Sequence, residues 1–215
     1  MPVTTSTSSR PSRGLLPELT GPDQAEVHAT HQMTRVVAFA EILGAQLSTL
    51  EEPGDQLEQY REAVHHLATL GIGRGLDRMP AALSASNIDD LSTAVLDATE
   101  DSPVPDAEWD PLTRILGEEL PALLGVSSSS VARYHSGDRR TPDSVAARLH
   151  GLTLIVSDLS GSYNDYGIRR WFKRPRRALE GRAPADILHG DWDPDGIDVR
   201  AVRNLAAELL GASVQ

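Results

Sequence analysis

The chain of 215 residues contains no cysteine. That excludes disulfides, thiolate metal sites and a cysteine nucleophile. It is compatible with a reducing cytoplasm, where the chain is expected to reside. Aromatic residues are only 4% of the sequence, so the core has to be built from Leu, Val, Ile and Ala. No run approaches the roughly 20 apolar residues of a membrane span, and no membrane partner is expected. Residues Met1 to Arg13 are Ser/Thr-rich and lack an apolar stretch, so no secretory signal is expected. No alternating strand pattern is convincing either. The one competitor, Leu152 to Val156, is outvoted by helical spacing on both sides.

The hydrophobic fraction of 40% and charged fraction of 24% are those of an ordinary globular chain with a real core. The net charge of −11 is unevenly spread. Residues 1–108 hold 6 Arg against 17 Asp/Glu, whereas residues 133–182 hold 11 basic against 5 acidic residues. An acidic half, a basic middle and an acidic end direct attention to the basic stretch as a phosphate-binding face.

Residues 1–22, with Pro2, Pro11, Pro17 and Pro22, read as a disordered tail. A heptad pattern follows in Ala29, Met33, Val36, Ala40, Leu43, Leu47 and Leu50, predicting one long helical face. A second stripe of Leu57, Tyr60, Val64 and Leu67 predicts the other arm of an antiparallel hairpin, ended by Gly71, Gly73 and Gly75. A third helix is predicted over 88–98, capped by Asn87 or Ser86. The Pro- and Asp-rich residues 101–109 read as a linker. Asp110-Pro111 and Thr141-Pro142 each predict an N-cap followed by Pro at the first helical position. A last helix is predicted over 195–210. The expected fold is all-α. It comprises an acidic N-terminal helical domain over 23–100, a helical DNA-binding unit over 110–160 and a small C-terminal helical module over 161–215.

Residues 117–135, GEELPALLGVSSSSVARYH, have helix-turn-helix spacing. Leu120 and Leu124 share a face of the first helix, and Gly125 supplies the positive φ of a tight turn. Val126 packs inward, Ser127 caps the second helix and Val131 returns to the core. Ser128, Ser129 and Ser130 then face outward with Arg133, which suits a bidentate contact to guanine. Tyr134, Arg139 and Arg140 suit phosphates, which position rather than specify. Pro121 is tolerable only within the first turn of a late-starting helix. The competing reading is a plain helical hairpin with solvated serines.

Residues 167–190, GIRRWFKRPRRALEGRAPADILHG, form a proline-punctuated module with six basic residues from Arg169 to Arg177. Read from the residues alone, Trp171, Leu179 and Leu188 are its core and the arginines its solvated rim. The order Trp171, Pro175, Ala178-Leu179, Gly181-Arg182, Pro184, Leu188, Gly190 resembles the C-terminal toxin-binding module of Xre/MbcA/ParS-like antitoxins. A helix-turn-helix lies just upstream in that family, as here. The resemblance covers about residues 110–210. It implies a RES-domain, NAD-consuming toxin as partner, and operator DNA through which the complex represses its own operon. It further implies toxin-binding roles for Trp171, Pro175, Leu179, Gly181, Pro184 and Leu188. Such readers of DNA are usually homodimers, and the heptad face of Ala29 to Leu50 is one candidate seam. Two features depart from the family: the acidic region 23–100 is additional, and Gly190 to Gly196 is longer and more acidic than usual. They keep open a stand-alone regulator, whose N-terminal domain senses a ligand or protein, and a protein-only adaptor.

Other signals favour plain structure. His28, His31, His65 and His66 lack a carboxylate to complete a metal site. The GIGRG run of 71–75 follows a helix, not a strand, and reads as a helix C-cap. Asp191, Asp193, Asp195 and Asp198 lack the closing glutamate of a calcium loop, and the serine run lacks a His/Asp partner in sequence. No catalytic residue, cofactor or metal is expected.

Overall fold

A computed structural model describes residues 24–50, 55–75 and 85–212; the tail of 1–22 lies outside them. All regular structure among the described residues is helical, as the sequence predicts. In chain order the helices are α1 Gln24–Ile42, α2 Asp55–Leu70, α3 Ala85–Glu100, α4 Pro105–Leu116, α5 Leu120–Leu124, α6 Ser128–His135, α7 Asp143–Ser160, α8 Asp165–Lys173, α9 Pro184–Ile187 and α10 Ile197–Ala212.

Helix α7 is the axle. It is buried almost all round, from Val145 to Leu159, as a helix without a solvent stripe must be. Helices α4 and α10 pack against it and enclose the larger core, built on Trp109, Leu112, Leu149, Leu152, Ile155 and Trp171. Helix α1 also packs against α7 and, with α2 and α3, encloses a second core around Val36, Phe39, Tyr60, Val64 and Leu67. Leu154 of α7 belongs to that second core.

Polar groups stitch α1 to this axle. Arg35 reaches both carboxylate oxygens of Asp158, at 3.1 and 3.3 Å. It also meets Glu100 Oε1 at 3.3 Å, an oxygen that Arg203 shares at 2.8 Å. The buried His150 ring bonds Glu108 through Nδ1 at 2.5 Å and the Glu100 carbonyl through Nε2 at 3.0 Å. A carbonyl only accepts, so Nε2 carries its own proton, and Nδ1 and Glu108 hold one further proton between them.

Four boundaries differ from expectation. Helix α1 stops at Ile42, although the heptad continues to Leu47 and Leu50. Gly44 adopts φ 91°, and the Ala45 amide donates back to the Ala40 carbonyl at 2.9 Å, which closes the helix. The chain beyond then runs without helix beside α2, where His66 meets the Leu43 carbonyl and Gln59 donates to that of Ser48. Helix α3 begins at Ala85, ahead of both residues expected to cap it. Helix α4 begins at Pro105, not Pro111. Val104-Pro105 supplies the same N-terminal proline signal, and Pro111 is carried inside the helix. Helix α7 begins at Asp143 with Pro142 in the cap position. The Thr141 hydroxyl is taken instead by the Trp109 indole N–H, at 3.1 Å.

The α1 heptad face is consumed within the chain: Ala29, Val36, Ala40 and Leu43 are all buried. The GIGRG segment is a helix end. Ile72 donates to the Leu67 carbonyl at 3.0 Å, and Gly71 has φ 100°. His28 meets Gln32, His31 the Ala207 carbonyl and His66 the Leu43 carbonyl, so these imidazoles turn to separate structural partners. Among the described residues no helix is long and apolar enough to cross a membrane.

Candidate nucleic-acid interface and C-terminal module

Residues 117–135 fold as two short helices joined by a turn at Gly125. Gly117 (φ 55°) ends α4, and a 3-10 turn over Gly117–Glu119 leads into α5. Pro121 lies in the first turn of that five-residue helix, where its missing N–H has no intrahelical acceptor to lose. Gly125 is left-handed at φ 67°, ψ 31°. Val126 donates to the Pro121 carbonyl at 3.0 Å. Ser127 is extended, and its Oγ accepts the Ser130 amide at 3.2 Å, the N-cap bond of α6. Leu120, Leu123 and Leu124 from α5 and Val131 and Tyr134 from α6 enter the larger core.

The outward face of α6 carries Ser128, Ser129 and Arg133, all exposed, with Ser130 half-buried. The Ser129 and Ser130 hydroxyls both lie within 3.0 Å of Ser127 Oγ, so part of the serine run organises the cap. Tyr134, expected from the sequence as a phosphate contact, does not face solvent. Its ring is only 7% exposed and stacks on Trp109 at 6.2 Å between centroids. Arg139 lies across that ring at 5.5 Å, an arrangement in which the ring steadies the cation. Arg140 is exposed and paired with Asp143 at 3.4 Å. His135, for which the sequence carries no distinguishing signal, contacts Asp110 at 2.5 Å.

The turn is braced from behind by the acidic segment 190–196. The Trp192 indole donates to the Leu123 carbonyl at 2.6 Å, and Arg148 Nε donates to that of Leu124 at 3.0 Å. These are C-terminal carbonyls of α5 that its own helix leaves unpaired. Arg148 also pairs with Asp191. The Gly190 backbone presses directly on Gly125. In sequence this segment reads as an acidic turn, and its content of Asp and Trp beside glycine gives no sign of its target.

The module around Trp171 is compact. Trp171, Leu179, Pro184 and Leu188 are buried, and Trp171 sits edge-on to Phe172. Pro175 and Gly181 are exposed, the latter at φ 82°. The four buried residues therefore shape the module, and its rim is what faces solvent. On that rim Arg176 lies over the Trp171 ring at 5.2 Å. Arg170, Arg174 and Arg177 are exposed. Asp198, one of the acidic residues weighed for calcium, is bound to Arg182 at 3.0 Å, and that partner holds its carboxyl below the usual range. Among the described residues no group of three or more His, Asp or Glu side chains is placed to hold a metal ion.

Comparison of the chain with protein-family models, with curated proteins and with solved structures returned no match.

Proposed function

We propose that the chain is a DNA-binding antitoxin. Helix α6 reads operator DNA in the major groove, and the Trp171 module binds a RES-domain, NAD-consuming toxin whose complex with this chain represses its own operon. The observation that supports the DNA half is the run from α5 through Gly125 and Ser127 into α6. It turns Ser128, Ser129 and Arg133 outward while Val131 and Tyr134 anchor the helix. The toxin half stands on the resemblance of residues 167–190, whose Trp171, Leu179, Pro184 and Leu188 form a compact buried core. A homodimer reading two half-sites one helical turn apart completes the proposal; its seam lies outside the α1 face, which the chain fills itself.

The test of the DNA half is fluorescence anisotropy on the DNA upstream of the gene. Arg133→Ala with Arg139→Ala is expected to weaken binding by about 10- to 100-fold, since a good bidentate base contact contributes about 1–3 kcal/mol. Unchanged affinity would remove α6 as the reading helix. The test of the toxin half is capture of the tagged chain from its host, with mass spectrometry of stoichiometric partners. A RES-domain protein is the expected partner. Capture of self and DNA alone would leave the second reading, a stand-alone regulator with a sensing N-terminal domain. One observation favours that reading: α1 is locked to α7 through Arg35 and Asp158, so a change in the N-terminal helices reaches the axle that carries the DNA-binding unit.

A further inference from the structure

We propose that the outer face of α8 and the turn after it, with Tyr166, Arg170, Arg174 and Arg177, form a second surface that grips the phosphodiester backbone of duplex DNA beside α6. This inference rests on the DNA-binding reading of α6.

The first reason is a charge count. Around α6 three arginines, Arg133, Arg139 and Arg140, face three aspartates, Asp110, Asp138 and Asp143. That surface is close to neutral, and the chain as a whole is at −11. Affinity for DNA comes largely from cations that displace condensed counterions, commonly at several phosphates. A surface of balanced charge on an acidic protein does not supply them. The excess has to lie elsewhere.

It lies on the rim. Other cations of the basic stretch are already engaged: Arg148 with Asp191, Lys173 with Glu119 and Arg182 with Asp198. Arg170, Arg174, Arg176 and Arg177 meet no carboxylate among the described residues. Arg176 rests on an indole face, and its buried Nε has no acceptor. Its pKa is pulled down by burial first, against an opposing pull from Tyr163, with a smaller lowering from the charge of Arg174. Like charges packed side by side without an acid are relieved by a bound anion. All four are arginines, whose planar fork matches phosphate bidentately. Tyr166, 65% exposed, stands at the head of the same stripe and offers a hydroxyl to a phosphate.

The second reason is placement. Asp110 and Arg114 lie four residues apart on one face of α4. Asp110 holds His135 at the end of α6, and Arg114 holds Asp165 at the start of α8, at 3.4 Å. The two helices therefore reach the same side of α4. Along α8, Asp165, Arg169 and Lys173 touch Arg114, the Ile115 carbonyl and Glu119 in turn. Tyr166, Arg170 and Arg174 form the adjacent stripe, about 100° around the helix. Ile168, Trp171 and Phe172 point into the core. The cationic stripe thus runs outward from the flank of α6, where DNA extending beyond the base contacts would lie.

The test compares wild type, R170Q/R174Q/R177Q and R133A/R139A on a short random-sequence duplex over a range of salt. The three glutamine positions are exposed, and an unchanged circular dichroism melt establishes that the fold is kept. Each phosphate contact contributes about 0.9 to the slope of log K against log salt. The triple variant is therefore expected to lower that slope by about 2 to 3 and to weaken low-salt binding by about 100-fold. A slope equal to wild type would overturn the inference, and the reading of α6 would survive it if R133A/R139A still lost binding. Loss of a captured protein partner with the slope intact would assign the rim to protein and overturn it as well. A wild-type chain that binds no duplex would remove both readings together.

Discussion

Gly125→Ala is expected to cost about 3 kcal/mol or more of folding stability, whereas Gly137→Ala, beyond the far end of α6, costs only about 1. Both glycines are left-handed, at φ 67° and φ 76°, so both substitutions incur the same conformational penalty for an L side chain. They differ in what the new methyl meets. At Gly137 no atom lies within 4 Å. At Gly125 the methyl falls on the carbonyl carbon and oxygen of Gly190, and backbone cannot swing aside as a flexible side chain can. The segment 190–196 has to lift away. With it go the Trp192 bond to the Leu123 carbonyl and the Arg148 pair with Asp191. The Leu123 carbonyl and the buried Arg148 guanidinium each lose a partner, and overpacking alone typically costs 1–3 kcal/mol. Urea unfolding of the two variants measures the difference. Equal costs would mean that the acidic segment does not brace the turn. Since α6 is held by that turn, Gly125→Ala is also expected to lose DNA binding more than Gly137→Ala at matched temperature.

That contrast shows which information is local. The need for glycine at 125 is readable from its place between Leu124 and Val126-Ser127, because positive φ is a property of one residue. So is the cap at Ser127, which lies three residues before its amide partner, and so is the late start forced by Pro121. The buried set Trp171, Leu179 and Leu188 is readable because large apolar residues in a basic, proline-broken stretch have nowhere else to go. The failures have equally definite causes. Leu47 and Leu50 continue the heptad of α1, but a single left-handed residue, Gly44, ends the helix before them. Val104-Pro105 and Asp110-Pro111 carry the same start signal, and spacing does not choose between them. Tyr134 has the character of a phosphate contact, and only the position of Trp109, far back in the chain, turns its ring inward. The Trp192 brace and the ties between α1 and α7 depend on partners that no periodicity reports. The proposed DNA face is thus half legible: the helix and its outward serines and arginine are, and the stacked support beneath them is not.

The tie between α1 and α7 carries the second large prediction. Arg35→Met is expected to cost about 3–5 kcal/mol near neutral pH, the usual consequence of stranding a buried charge. The stranded group is Asp158, whose side chain is 2% exposed and receives both prongs of the guanidinium. Burial pushes the Asp158 carboxyl above its ordinary value of 3.8, and Arg35 opposes that rise. Removing Arg35 leaves only the smaller contributions of Arg203 and His31 against burial, so the carboxyl rises further. A carboxyl held above its unfolded value favours the folded state at pH below that value. It withdraws that contribution as pH climbs through the folded pKa. At acid pH Asp158 is therefore protonated in wild type and variant alike, and the two differ little through this group. Their separation is expected to open as pH rises from the wild-type folded pKa towards the higher one of the variant, and to stay open above it. Glu100 keeps Arg203 at 2.8 Å throughout and contributes less to the gap. Adding Asp158→Leu to Arg35→Met removes the stranded charge, so the double variant is expected to recover most of the loss and to lose the pH dependence with it. Urea unfolding of wild type, the two single variants and the double variant across acid to neutral pH tests this. A gap that does not change with pH would mean that Arg35 acts by packing its stem against α7. A double variant no more stable than Arg35→Met would likewise show that the stranded Asp158 charge is not the source of the loss.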